Sequence, residues 1–236
     1  MAPSTRCKTL PFHLTIPVGL HQRDGVDQAK VTELRNYIRS VMRRIKKTPH
    51  NVRPDMQYII RLLGDIVFGE DALDDVQFSW ERTLIEEENA VGVTRIEYNT
   101  DMSIEVSIAL HPDPEQEFED QNNPLDCLTQ KGFIDLLNTA AHECIHAFLY
   151  RRCCSNKLCT TKGFRRCRKI WVRQVGSCGH GPAWQIFAKR SEDKINELGL
   201  WKCDLERKQE ARGYLKRLGV LNDNVRALCW PEGFKG

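Results

Sequence analysis

The stretch FIDLLNTAAHECIHAF, residues 133 to 148, decides how the rest of the chain is read. Phe133, Leu137, Ala141, Cys144, Ile145 and Phe148 recur at helical spacing, so a strong helix is predicted over about 128–151 with these residues as its buried stripe. Inside it lies His142-Glu143-Cys144-Ile145-His146. Histidines at i and i+4 stand one turn apart on one face, so two imidazoles can converge on a single ion. Glu143 lies about 100° around the helix from His142, at the edge of that face, where its carboxylate reaches a water on such an ion. Cys144 points the other way, into the apolar stripe.

Upstream, Val31, Leu34, Ile38, Val41, Met42 and Ile45 predict an amphipathic helix over about 27–47. Pro49 and Pro54 separate it from a second apolar helix, about 55–68. The period then changes to two, with Val76, Phe78 and Trp80 alternating with Gln77, Ser79 and Glu81. Segments 91–98 and 103–110 flank Asn99-Thr100-Asp101 and read as a β-hairpin, with Ile104, Val106, Ile108 and Leu110 on one face. Residues 111–124 are an acidic loop punctuated by proline. A further helix opens at Pro182 and closes at Gly199, and helical tails are expected over 204–217 and 221–229. Helices, then strands, then helices indicate an α+β domain. The divisions expected are an N-terminal extension (1–54), a central domain (55–200) with a basic, Cys-rich insertion at about 152–178, and a C-terminal helical tail (201–236).

The chain has 236 residues and a formal net charge of only +3, but the charge is unevenly placed. Asp65 to Asp120 holds seventeen acids against two bases, whereas Cys144 to Ser191 holds eleven bases and no acid. Such asymmetry suits a polyanion-facing surface, for which Arg165, Arg166, Arg168, Lys169 and Arg173 are the candidate contacts. The alternative is that the acidic and basic blocks face each other in the fold. MRRIKK, Met42 to Lys47, reads either as a nuclear-targeting run or as a solvated helix end. No run approaches the roughly 18 apolar residues of a membrane span, and the first twenty residues, broken by Pro11, His13 and Pro17, make a poor signal-peptide core. An intracellular location is expected.

A reducing compartment favours free thiols or a metal over disulfides for the ten cysteines. Six of them (Cys144, Cys153, Cys154, Cys159, Cys167, Cys178) are clustered, but no C-x-x-C pair occurs, so a second, structural zinc there has no support from spacing. For the His142/His146 pair, a catalytic metal needs a third protein ligand. A metzincin extension would require glycine at 149 and histidine at 152, where the chain has Leu149 and Arg152. A glutamate ligand shortly downstream is excluded by the acid-free run. His180, in Gly179-His180-Gly181-Pro182, is the only histidine after the motif. Cys153, Cys154, Glu192 and His111 are the remaining alternatives.

Together, His142-Glu143-Cys144-Ile145-His146-Ala147 and Gly179-His180-Gly181-Pro182-Ala183-Trp184-Gln185-Ile186-Phe187 resemble the SprT-like (Spartan-type) zinc metalloproteases. Val76 to Trp80 and the hairpin ending Ile108-Ala109-Leu110 follow the same order of elements, and the resemblance spans about 55–200. It implies a zincin-like core, a small sheet packed on the motif helix, with zinc on His142, His146 and His180 and Glu143 as acid/base. It also implies a protein substrate, with DNA, single-stranded regions above all, as partner: the eukaryotic members cleave proteins crosslinked to DNA and depend on DNA. The chain departs from the family in its longer His146–His180 gap and in lacking a C-terminal C-x-x-C ribbon. Two other classes fit the residues: a nucleic-acid-binding protein with a structural or degenerate zinc site, and a general or secreted metalloprotease with disulfides.

Overall fold

The computed structural model describes residues 26–49, 52–98, 104–112, 128–152, 175 and 179–207. The first helix, α1 (Gln28–Lys47), starts where the Asp27 carboxylate accepts from the backbone N–H of Ala29 at 2.9 Å and stops at Thr48, before Pro49. It buries Val31, Leu34, Ile38, Val41 and Ile45. After Pro54, α2 (Met56–Leu63) opens with Asp55 capping the Tyr58 N–H and runs into one π-helical turn, Gly64–Phe68. The expected helix over 55–68 is therefore present, but its last turn is wound more loosely. Gly69, at φ +111°, ends it.

Three strands follow: β1 (Gln77–Trp80), β2 (Gly92–Tyr98) and β3 (Ile104–Leu110). β3 lies in the middle, parallel to β1 with Phe78 opposite Ile108, and antiparallel to β2 with Thr94 opposite Ile108. The predicted hairpin is thus β2–β3. Val106, Ile108 and Leu110 are buried as expected, while Ile104 is half-buried. The acidic run Glu86-Glu87-Glu88 belongs to a short helix, α3 (Leu84–Glu88), that periodicity did not suggest; Asn89 closes it in a left-handed conformation. Arg95 on β2 ties this region together, donating to both carboxylate oxygens of Glu81 at 2.7 and 2.8 Å and to Glu88.

The motif helix is α4 (Gln130–Arg152). Its predicted stripe is buried, but so are Leu136, Ala140, Ala147 and Leu149. The reason is its position: β2 and β3 pack on one side, and α1, α2 and α5 (Pro182–Glu197) on the other. Fully burying each of its large apolar side chains contributes about 1.5–3 kcal/mol. The last helix, α5, begins with Pro182 at its first turn, and the chain turns after it at Gly199, φ +59°. Leu200, Trp201, Cys203 and Leu205 then return to the same core as α1 and α4. The Trp201 indole N–H donates to Asn138 on α4 at 2.9 Å, and Arg35 on α1 donates to the Leu198 carbonyl at 2.6 Å.

The α+β class expected from the order of elements is what the chain adopts: five helices and a three-stranded mixed sheet among the described residues. No described helix is long and apolar enough to cross a membrane. Acidic and basic blocks do meet at one point, where Arg151 donates to Asp75 and to the Ala72 carbonyl, each at 2.7 Å.

Candidate metal centre

Two consecutive requirements bring His142, His146 and His180 together. The first is the helical period of α4, which stacks His142 and His146 on one face. The second is the tight entry to α5, which carries His180 across to them. Their three ε nitrogens form a small triangle: His142 to His180 is 2.9 Å, His146 to His180 3.1 Å, and His142 to His146 3.2 Å. His146 is buried and the other two are half-buried.

Gly179 makes this approach possible in two ways. Its φ of +80° lies in the left-handed region, and a Cβ there would stand 2.8 Å from His146 Cε1 and 3.1 Å from Nδ1. The backbone before His180 therefore rests against the His146 ring. Trp184, one turn into α5 and fully buried, covers the cluster, with its ring centre 4.7 Å from those of His142 and His180 and 5.8 Å from that of His146.

Burial, and then the neighbouring imidazoles of His142 and His180, hold the His146 pKa well below the ordinary histidine range. Its buried Nδ1 has no hydrogen-bond partner among the described residues. Three imidazole nitrogens drawn this close are best satisfied by a shared cation, so the triad could hold a metal ion. An all-imidazole donor set suits zinc, copper, iron or nickel rather than calcium or magnesium. No fourth His, Cys, Asp or Glu joins the three among the described residues. Three protein ligands are the pattern of a site that keeps a coordination position for another molecule; structural sites usually close with four.

Glu143 is buried beside the cluster and is held from β2. The Thr94 hydroxyl lies 2.7 Å from Glu143 Oε2 and 3.0 Å from the Glu143 carbonyl, so it donates to one or the other. Gly92, two residues earlier on β2, lets α4 come close: a Cβ there would lie 2.5 Å from Thr139 Cγ2, 2.9 Å from Leu110 Cδ2 and 3.2 Å from Glu143 Cγ. Gly92→Ala is expected to destabilise the fold by about 1–3 kcal/mol through overpacking. A lower urea midpoint with an unchanged slope would show it. Thr94→Val is expected to lower any activity that depends on Glu143 by roughly 10- to 100-fold, the scale of a hydrogen bond to a charged group, with Thr94→Ser restoring it. Equal rates in all three proteins would remove Thr94 from the site.

The alternative ligands divide clearly. His111 Nε2 lies 3.1 Å from the Arg82 carbonyl, and Glu192 accepts from the Leu205 N–H and from Arg207. Both are turned elsewhere. Cys144 is buried in the core, and burial first, then the charge of Glu143, pushes its thiol pKa up; it is not a ligand. Cys144 and Cys203 are free thiols. Cys153, Cys154, Cys159, Cys167 and Cys178, and the candidate polyanion contacts Arg165, Arg166, Arg168, Lys169 and Arg173, lie outside the described residues. Sequence reading missed Thr94, Gly92 and the covering role of Trp184. A threonine or glycine in a strand has no local signature for a helix reached 49 residues later. Comparison with protein-family models, curated proteins and solved structures brings no other protein beside this one: none of them matches the chain.

Proposed function

We propose that this chain is a zinc-dependent endopeptidase of the SprT-like type, with a zincin-like core in which His142, His146 and His180 hold the metal and Glu143 is the catalytic acid/base. One observation carries the reading. Three histidine ε nitrogens lie within 3.2 Å of one another, and the residue that follows His142 on α4 is a buried glutamate, a carboxylate that a purely structural site does not need. When bound, zinc supplies Lewis acidity, which polarises the scissile carbonyl and brings the pKa of water down to about 7.

Glu143 takes the proton of the attacking water as its oxygen bonds to the carbonyl carbon. It then delivers that proton to the leaving amine as the C–N bond breaks. Thr94 orients the carboxylate for both transfers. β2 pairs with β3 along one edge only, among the described residues. Its other edge is therefore suited to an extended substrate backbone, which would add as a further strand next to Glu143.

The test is metal content per chain together with cleavage of an unfolded protein substrate, before and after chelation. One zinc per chain, with activity lost on its removal and restored by its return, supports the proposal. Proteolysis by the fully metal-free chain overturns it. DNA-bound or DNA-crosslinked proteins as substrates rest on the acid-free run that flanks His180 in sequence, and a nuclear site of action on the basic run MRRIKK, Met42 to Lys47. Cleavage of a basic protein should then rise on adding single-stranded DNA and fall steeply with salt. A rate indifferent to both would reduce the proposal to a general peptidase.

A further inference from the structure

A groove of about 440 Å³ lies between the C-terminal half of α1, the start of α4 and the chain after α5. This volume is typical of a ligand-sized cleft. Met42, Ile134, Leu200 and Trp201 form its floor, while Arg39, Arg43, Lys46 and Lys202 stand around it. On α1, Arg39, Met42, Arg43 and Lys46 follow i, i+3, i+4, i+7 spacing, which places a row of cations along one helix face with a single apolar side chain among them. All four cations are exposed, and none is within salt-bridge distance of an acid among the described residues. No acidic side chain lines the groove among those residues. Ile134 is two turns before His142, about 12 Å along the α4 axis, so this surface is separate from the histidine cluster.

We infer that this groove docks an acidic amphipathic helix of a partner protein, its apolar stripe on Met42, Ile134, Leu200 and Trp201 and its carboxylates on Arg39, Arg43, Lys46 and Lys202. The charge calls for an anion, and the floor selects its kind. A helix satisfies its own backbone hydrogen bonds, so it loses nothing on an apolar floor, whereas an extended peptide would leave its N–H and C=O groups without partners there. A single-stranded nucleic acid would need flat aromatic faces on which bases stack. The one aromatic residue of the floor, Trp201, is 8% exposed and turns its N–H inward to Asn138. Met42 and the flexible arginine and lysine stems can adapt to a helix laid across them.

The experiment is fluorescence anisotropy on the full chain. The probe is a labelled synthetic helix of Leu, Ala and Glu, with leucines at i, i+3, i+4, i+7 and glutamates on both flanks. Saturable binding is expected, weakened at least about tenfold by the Arg43→Glu/Lys46→Glu pair and by redistributing the same leucines around the helix. It should also weaken several-fold as salt is raised. The reversed residues are exposed, so an unchanged thermal midpoint should accompany the loss; the milder Arg39→Ala/Lys202→Ala pair serves if it does not. No binding, equal binding of the redistributed peptide, or indifference to charge reversal overturns the proposal. So does tighter binding of oligothymidylate through the same residues, or a concentration-dependent dimer abolished by the same variants, which would make the groove an interface between copies.

Discussion

Glu143→Gln is expected to keep the wild-type metal content while lowering peptide-bond hydrolysis by about 10²–10⁴-fold, the usual contribution of a positioned general acid/base. Glutamine has nearly the same shape, fits the same buried space against α4 and β2, and keeps an oxygen to accept from Thr94. It cannot take a proton from water at neutral pH. The loss should fall in kcat with KM little changed, because the missing interaction belongs to the transition state. Wild-type turnover in this variant would end the assignment of Glu143. Loss of metal instead would turn it into a residue that supports the triad.

The second large effect concerns the third corner. His180→Ala is expected to leave a two-imidazole site that no longer retains one metal per chain through gel filtration. Gly179→Ala tests the same corner without removing a donor. Its side chain would need a left-handed backbone, at a strain of about 1–3 kcal/mol, and its Cβ would press on the His146 ring from 2.8 Å. A metal affinity lower by about 10- to 100-fold is expected, comparable to the loss of a group that orients a ligand. Competition with a chromophoric chelator measures it, and unchanged affinity would mean that the Gly179 backbone does not hold His146 in place.

His142 and His146 were legible because helical period alone puts them on one face. His180 became legible by exclusion, since the acid-free run left few donors. α1 was legible because it hides one side and shows the other, so burial leaves a period in the residue types; the hairpin was legible from the alternation of apolar residues in β3, although Ala109 on its other face is buried as well and β2 is half-buried over 92–96. α4 was legible as a helix but not as a central one: it is covered from both sides, and small residues such as Ala140 and Ala147 carry no mark of which neighbour approaches them. The π-helical turn after Leu63 changes winding without changing the kind of residue required. The Thr94–Glu143 bond joins strand to helix only after the sheet has docked on α4. Neither residue's neighbours in sequence could announce it.

The division of the triad between two helices has a consequence for folding itself. Two corners ride on α4, at the centre of the core, and the third arrives with Gly179 and the first turn of α5. An ion shared by all three would act as a cross-link, closing the chain between His146 and His180 into a loop and anchoring the entry to α5. Because the unfolded chain has no such triangle, binding adds to stability by mass action, about 2.7 kcal/mol when free metal is a hundredfold above its dissociation constant. The start of α5, rather than α4, is the element whose amide hydrogens should exchange faster once the ion is removed.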